Sequence, residues 1–541
     1  MPSQLNISWS LLAPALFLTY AACGAKQMPA TVAAPKGDVL TVIATAELRG
    51  TTEPCGCASD PLGDIARVAR LAEDSHALWV DAGGLLYDEV ASRGGAADQA
   101  VRKATCLEDI AGESKVELGL GSDDLWRGAT AIKAARHADD VAKDIPLAAP
   151  SIRIVSGVRV GIFGVVSAAR AKALTVSDPG VAAEKSVAKL RSLGAQLVVG
   201  LLGMNRTESR ALLSSVRGID IGVVGAEVEE GMPEAEPVGD GILVSPADQG
   251  RRVARLDFHI VDGKVALRPF AGQAARQREL ERVDKKRLAL TMQLEAWRAD
   301  PSADAAFVAA RRQELGELEA ERARLKGAVP APPTDSYFTY ALVPVRRDLP
   351  RSTKVAARLS ALDGEIGRAN LAAAQHEPAI PTVAGQPHYV GMSTCARCHK
   401  QAAKLWKTTV HAQAWKTLVD VNKQYNYDCT GCHVTGWLRP GGSQLATAEK
   451  VGLTSIQCET CHGPGSKHVE ESGLDEPRTI HRRPDDGICA GQCHTKEHSD
   501  TFDLAPYLRD VLGQGHGEKL RAELGPGITA HELRKKAMAS H

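Results

Sequence analysis

The chain has 541 residues, with 65 basic and 65 acidic side chains, so no global field draws it to nucleic acid. That length allows two or three domains with cores of their own. Aromatic residues make up only 4%, which leaves part of the chain short of large apolar side chains to fill an interior.

The first element is a short apolar run over residues 9–22, ending in small side chains just before Cys23. It reads as an export signal over residues 1–22, too short to span a bilayer comfortably. Tyr20-Ala21-Ala22-Cys23-Gly24 resembles a bacterial lipoprotein box, which implies that Cys23 carries lipid and tethers the chain to a membrane. An ordinary cleaved signal is the alternative. Either one sends the mature chain out of the cytoplasm, to the periplasm or cell envelope, with residues 23–37 as a linker.

From residue 38 to 270, short β-branched runs alternate with helical stretches. Val39–Ile43, Ala77–Val80, Val158–Phe163, Gln196–Val199 and Ile219–Val224 read as buried strands, so this part is an α/β domain with helix-covered sheets. Residues 271–327 turn to Arg, Glu, Leu and Ala. Val283, Leu290 and Trp297 recur every seven residues, as do Leu318 and Leu325, with Val308 and Leu315 on a neighbouring track and Pro301 between the two series. Each stripe is too narrow to be stable alone, so two antiparallel helices in a coiled-coil hairpin are expected, acting as a spacer. Residues 328–387, with Pro330, Pro332 and Pro333, a short helix over Lys354–Ala374 and a loose stretch over Glu377–Pro387, read as a linker.

The last third carries four cysteine pairs, each followed at once by histidine: Cys395-Cys398-His399, Cys429-Cys432-His433, Cys458-Cys461-His462 and the wider Cys489-Cys493-His494. Two tetrahedral zinc sites are the alternative chemistry. Histidine directly after all four pairs is instead the attachment signature of c-type haem, in which the thiols bond the vinyl groups and the histidine ligates iron. Four haem c groups are expected, the fourth on a loop one residue longer. The motif histidines stand about thirty residues apart, too few per haem for each segment to fold without its cofactor. The haem module is assigned to residues 388–520, with 521–541 as a tail. His388, His411, His468, His481, His498, His516 and His531 are available for sixth iron positions. With eight cysteines given to haem and Cys23 to lipid, Cys55, Cys57 and Cys106 remain. A disulfide from Cys106 to one of the other two is the expectation in an oxidising compartment, with a metal or redox role for Cys55-Gly56-Cys57 as the other reading.

Residues 389–516 resemble the tetrahaem cytochrome family that carries electrons away from hydroxylamine oxidoreductase. The resemblance lies in Tyr389-Val390-Gly391, in Trp406 with His411-Ala412, and in Cys432-His433-Val434-Thr435-Gly436. It continues through Gln457-Cys458-Glu459-Thr460-Cys461-His462-Gly463-Pro464-Gly465-Ser466 with His468, and in Phe502-Asp503 leading to His516. It implies His411, His468 and His516 as distal iron ligands, with His388 and His481 behind them. It also implies that one haem can lack a strong sixth ligand.

Residues 38–270 resemble the calcineurin-like metallophosphoesterases, especially periplasmic 5′-nucleotidases. The frame is carried by Thr41–Thr45, Leu62–Arg67, Trp79–Gly83, Gly218–Ile221 and Gln249–Leu256. Catalysis in that family needs two metal ions held by Asp, His and Asn. Here the first Asp-x-His becomes Glu47-Leu48-Arg49, and the bridging aspartate becomes Gly84. The Asn-His pair becomes Ser122-Asp123, the next histidine Leu201, and the final Gly-His-x-His becomes Gly225-Ala226-Glu227-Val228. Glycine, leucine, alanine and valine side chains cannot coordinate a metal, so no phosphoesterase activity is expected.

The whole reads as a multidomain chain: an N-terminal α/β metallophosphoesterase-like sandwich, a helical coiled-coil hairpin, and a C-terminal, mainly α tetrahaem cytochrome c module. The function expected is extracytoplasmic electron transfer with redox partner proteins. A reductase or oxidase of a small nitrogen or sulfur compound, working at an open haem iron, is the alternative.

Overall fold

A computed structural model of the chain describes residues 38–54, 56, 58–88, 95–142, 145–172, 174–271, 273–298, 304–327, 331–474, 479–485, 487–495 and 498–539. The export signal, Cys23, Cys55 and Cys57 lie outside these residues. Among the described residues no helix is long and apolar enough to cross a membrane.

In chain order the first part runs β1 (Asp38–Thr45), α1 (Ile65–Asp74), β2 (Leu78–Asp81), α2 (Gly95–Glu113), β3 (Glu117–Leu118), β4 (Ser151–Val155) and β5 (Val158–Val166). It continues α3 (Pro179–Ser192), β6 (Leu197–Gly203), α4 (Arg206–Ser215), β7 (Ile221–Val224), β8 (Glu236–Val238), β9 (Gly241–Val244) and β10 (Arg252–Ile260). Then come α5 (Gln273–Arg298), α6 (Ala305–Lys326), β11 (Tyr337–Pro344) and α7 (Thr353–Ala374). All five runs expected as strands form them, as β1, β2, β5, β6 and β7.

The strands make two sheets, ordered β11-β10-β1-β2-β3 and β4-β5-β6-β7-β9-β8. Alternation along β1 explains how they stack: Leu40, Val42 and Ala44 enter the core shared with Val160, Ile162, Val198 and Val223 of the second sheet, while Ile43 faces the other way. Ile43, Trp79 and Val253 meet α1, α2 and α7 on the outer face of the first sheet. Strands β5, β6, β7 and β9 pair in parallel and are covered on both faces, which is why they read as unbroken apolar runs. Local signals fix the helix starts. Asp178 precedes Pro179 and accepts from the Val181 N–H of α3, and Asn205 and Glu208 cap each other reciprocally at the start of α4.

The stretch expected as a linker differs from that expectation. β11 pairs antiparallel with β10 from His259 opposite Tyr337 to Arg252 opposite Pro344, and α7 buries Val355, Leu359, Leu362 and Ile366 against the first sheet. Residues 337–374 therefore complete the first domain, and the α5/α6 hairpin is inserted between two paired strands. In the hairpin Val283, Leu290 and Val308 are buried. Trp297 packs edge-on to Phe307 at 5.1 Å, and Arg276 donates to the Leu325 carbonyl at 2.7 Å, which sets the helices antiparallel. Cys106 is fully buried on the core face of α2 and forms no disulfide among the described residues; its expected partners, Cys55 and Cys57, lie outside them.

Among its described residues the C-terminal part forms ten short α-helices: α8 (Met392–Cys398), α9 (Lys400–Trp406), α10 (Ala414–Val419), α11 (Tyr427–Thr430), α12 (Cys458–His462), α13 (Ser466–Glu470), α14 (Gly487–Gln492), α15 (Leu504–Val511), α16 (Glu518–Glu523) and α17 (Ala530–Ala539). The side-chain core here is small, with Trp415, Val434 and Ala448 packed together. Residues beyond 520, expected as a tail, form α16's end and α17. Arg509 of α15 donates to the Leu524 carbonyl at 3.0 Å.

This part docks on the first domain through polar contacts. Buried Asn370 of α7 donates to Gln99 of α2 at 2.8 Å and to the Tyr425 carbonyl at 2.9 Å, and Gln99 donates to Asn426 at 2.9 Å. Lys423 bridges Glu53 at 2.8 Å and Asp363 at 3.4 Å. Asp500 accepts from the Ser59 N–H at 2.8 Å, and Arg534 donates to the Gly56 carbonyl at 3.1 Å.

Candidate functional site

Each cysteine pair sits on one helical turn. Cys395 and Cys398 end α8, Cys429 lies on α11 with Cys432 in the following turn, and Cys458 and Cys461 lie on α12. Three residues of helix return to the same face, so both thiols point one way and the next histidine is carried beside them. The wider fourth pair uses the same geometry. Cys489 lies on α14, and the Cys493 and His494 N–H groups both donate to the Cys489 carbonyl, at 3.4 and 2.9 Å. A four-residue step also returns to one helix face, so the extra residue is absorbed without turning a thiol away.

Three motif histidines face a distant histidine ring. His399 stands 6.3 Å from His468, His462 stands 5.8 Å from His516, and His494 stands 6.2 Å from His411, centroid to centroid. Two imidazoles with nitrogens about 2 Å from a shared metal would have centroids roughly 6 Å apart. The rings are also oriented for that role. Nδ1 of His433 meets the Ala414 carbonyl at 2.5 Å, Nδ1 of His462 the His481 carbonyl at 2.7 Å, and Nδ1 of His516 the Val511 carbonyl at 2.8 Å. A Nδ1–H given to a carbonyl fixes the tautomer and leaves the Nε2 lone pair for a metal. Burial lowers the pKa of His411, His433 and His462, and burial with His411 nearby brings His494 down to about 4. These rings are therefore neutral near pH 7, the form that donates to iron. The residues fit haem.

His433 is different. Its Nδ1 is held by Ala414, with Thr417 at 3.4 Å, but among the described residues no aromatic or histidine ring pair includes it. Neither the His388 nor the His481 ring joins a motif histidine in such a pair. His481 meets motif 3 through its backbone, and the His388 N–H is bound to Ser466 at 2.9 Å. His498 contacts Thr495, and the His531 N–H contacts Asp510.

The motifs also meet one another. The Cys395 thiol lies within hydrogen-bonding reach of Cys458, and Cys493 within reach of Cys432; in both cases the facing thiol, with burial, pushes the group above the ordinary thiol range. Cys461 is close enough to Cys489 to interact electrostatically. Motif 1 thus adjoins motif 3, motif 3 approaches motif 4, and motif 4 adjoins motif 2. Sequence reading missed the residues that hold the histidines: the carbonyls above, and Phe502 and Tyr507, which pack on the His494 ring at 5.2 and 4.8 Å. Carbonyl partners leave no trace in residue type, whereas the two aromatics stand out in a chain so poor in them.

In the first domain, the residues aligned with metal ligands also converge, at the carboxyl ends of β1, β2 and β7. Arg49 bonds Glu47 at 3.0 Å and lies 3.7 Å from Asp248, and Lys172 lies 4.0 Å from Asp123. The Val228 N–H donates to Glu47 at 3.3 Å. Burial raises the Glu47 pKa despite Arg49. Burial opposes the charge on Arg49, yet Glu47, Asp248 and Asp123 hold its pKa above the ordinary value. A guanidinium thus sits among the carboxylates where a divalent cation would need to enter. Among the described residues no three His, Cys, Asp or Glu side chains are grouped to hold a metal ion.

Residues 394–463 match the family model described as cytochrome c554 and c-prime. Among curated proteins, cytochrome c-554 of Nitrosomonas europaea is 33% identical over 122 residues, which cover 18% of this chain and 52% of that protein. The chain therefore spans about half the length of that relative. Partly similar solved structures include a 5′-nucleotidase precursor of Thermus thermophilus (14% identity, 75% of this chain and 84% of that one, TM-score 0.40). Another is the sulfate thiohydrolase SoxB of the same organism (14%, 67% and 64%, TM-score 0.39). At such scores the α/β assignment of residues 38–374 rests on the sheet order itself. The carboxyl-terminal part of the chain is a helical c-type cytochrome region resembling cytochrome c554, which implies covalently bound haem c.

Proposed function

We propose that this chain is an extracytoplasmic electron-transfer cytochrome with four covalent haems and a catalytically inert phosphoesterase-like domain that serves as its scaffold. Cys395, Cys398 and His399, Cys429, Cys432 and His433, Cys458, Cys461 and His462, and Cys489, Cys493 and His494 would hold the haems. His468, His516 and His411 would complete the iron coordination at motifs 1, 3 and 4. Haem iron, when bound, supplies reversible one-electron chemistry. The chain's own part is to orient the imidazoles, shield them from water and hold the motifs in the spatial order 1, 3, 4, 2, with redox proteins as partners. Export, and lipid on Cys23, belong to the same reading.

The observation that carries this is the set of three imidazole pairs at 5.8–6.3 Å. The scaffold role is supported by the buried Gln99–Asn370–Asn426 contacts, and inertness by the arginine among the former ligand positions. Low-temperature spin-state spectroscopy of the oxidised protein tests the coordination. Three low-spin haems are expected, and a spectrum of four high-spin haems would refute it.

One observation favours a second reading, reduction or oxidation of a small nitrogen or sulfur compound at an open iron. His433 has no facing imidazole among the described residues. Mixing the protein with nitric oxide or hydroxylamine separates the readings: turnover favours the enzyme, and simple binding or no change favours the carrier.

A further inference from the structure

Motif 3 contains a carboxylate that neither thiol chemistry nor iron ligation uses. Glu459 follows Cys458 directly and is 2% exposed. Its Oε1 accepts the Val390 N–H at 2.9 Å and the Gly465 N–H at 2.7 Å, and its Oε2 accepts the Gly391 N–H at 2.7 Å and the Val390 N–H at 3.1 Å. Both oxygens act only as acceptors, and every donor is a backbone amide, the pattern of an ionised carboxylate. Among the described residues no arginine or lysine forms an ion pair with it. A buried negative charge therefore stands uncancelled except by amide dipoles.

Its position is specific. Gly391 is the N-cap of α8, which carries motif 1, and Gly465 follows motif 3, so the carboxylate joins the two segments whose thiols meet. Its charge acts on Cys395 and on Cys458 alike, and a bound macrocycle at either site could only bury it further. A fixed anion in a low-dielectric interior favours the more positive, ferric state of nearby iron and so lowers its reduction potential.

We propose that Glu459 is an electrostatic tuning residue that lowers the reduction potentials of the haems at motifs 1 and 3, leaving those at motifs 2 and 4 largely untouched. The inference rests on the haem reading above.

The test is a spectroelectrochemical titration of the full exported chain beside three variants, with the haem count of each measured by mass. Glu459→Gln removes the charge and keeps the shape: two of the four one-electron steps should move positive and two should stay. Glu459→Asp keeps the charge and should leave the steps near their wild-type positions. Thr394→Asp adds a charge in the first turn of α8, beside Cys395, where an acidic residue suits the helix. It should move the same steps negative, which keeps the test decisive if Glu459→Gln loses haem. Unmoved steps in a four-haem Glu459→Gln protein would overturn the proposal, as would equal movement of all four steps. If Glu459→Gln lacks haem, unmoved steps in Thr394→Asp would overturn it instead. A colourless wild-type chain would instead defeat the haem reading itself.

Discussion

Replacing His516 with alanine isolates one proposed iron ligand. The side chain faces His462 at 5.8 Å and is fixed by its bond to the Val511 carbonyl at 2.8 Å. Besides the bond to iron, the truncation forfeits that hydrogen bond, about 1 kcal/mol, a small part of the roughly 5–15 kcal/mol that holds a domain folded, while the thioether bonds and His462 still hold the haem. The fold should therefore survive, and the effect should be confined to the iron at motif 3, which falls from two imidazoles to one. If His433 alone lacks a facing imidazole in the wild type, the reduced protein should bind one carbon monoxide per chain, and His516→Ala two. The assay is a carbon monoxide titration of the reduced protein, followed by its difference spectrum. Spin-state spectroscopy of the oxidised form should show one haem passing from low to high spin, and added imidazole should reverse that change. Unaltered uptake with unaltered spin state in a folded, four-haem variant would refute the assignment of His516.

Three other outcomes are expected. Asn370→Leu removes the Nδ2 donor shared by Gln99 and the Tyr425 carbonyl, leaving the Gln99 side-chain oxygen with the Tyr427 N–H alone and the Tyr425 carbonyl without Asn370, at about 1–3 kcal/mol; protease should then cut faster in residues 375–387, and an unchanged cutting rate would count against the docking role. The wild-type chain given manganese or zinc should not hydrolyse phosphoesters, and turnover lost on Glu47→Gln or Asp123→Asn would overturn the inert-domain reading. Burial raises the Asp140 carboxyl pKa to about 7, against the backbone bond from Val166. The folded state then binds a proton that the unfolded state releases near pH 4, so stability should fall as pH rises from about 4 to about 7, by on the order of 4 kcal/mol at most, and then level off. Hydrogen exchange at Val166 across that range reads the slope, and Asp140→Asn should flatten it.

The parts of the fold legible in the sequence are those whose signal is local. The buried parallel strands announced themselves as continuous apolar runs, because both faces of their sheet are covered. β11 did not, since Tyr337–Pro344 finds its partner β10 only across an inserted helical hairpin, and prolines at 330, 332 and 333 made its surroundings read as linker. α7 was recognised as a helix, but its burial against the first sheet depends on α2, which no local pattern reveals. The proximal histidines were fixed by adjacency to cysteine. Distal partners were not, and sequence proximity misleads: His468 follows motif 3 closely yet faces His399 of motif 1, while His516 faces His462. The resemblance to the tetrahaem cytochromes named these distal residues as a set, and only the folded chain says which motif each one faces.

The central claim is that four haems are bonded to the cysteine pairs of the carboxyl-terminal region. Its most direct test is the intact mass of the denatured, exported chain together with its pyridine haemochrome spectrum. Four covalently attached haems per chain are predicted; a colourless polypeptide at its bare mass, retaining zinc before denaturation, would contradict the account.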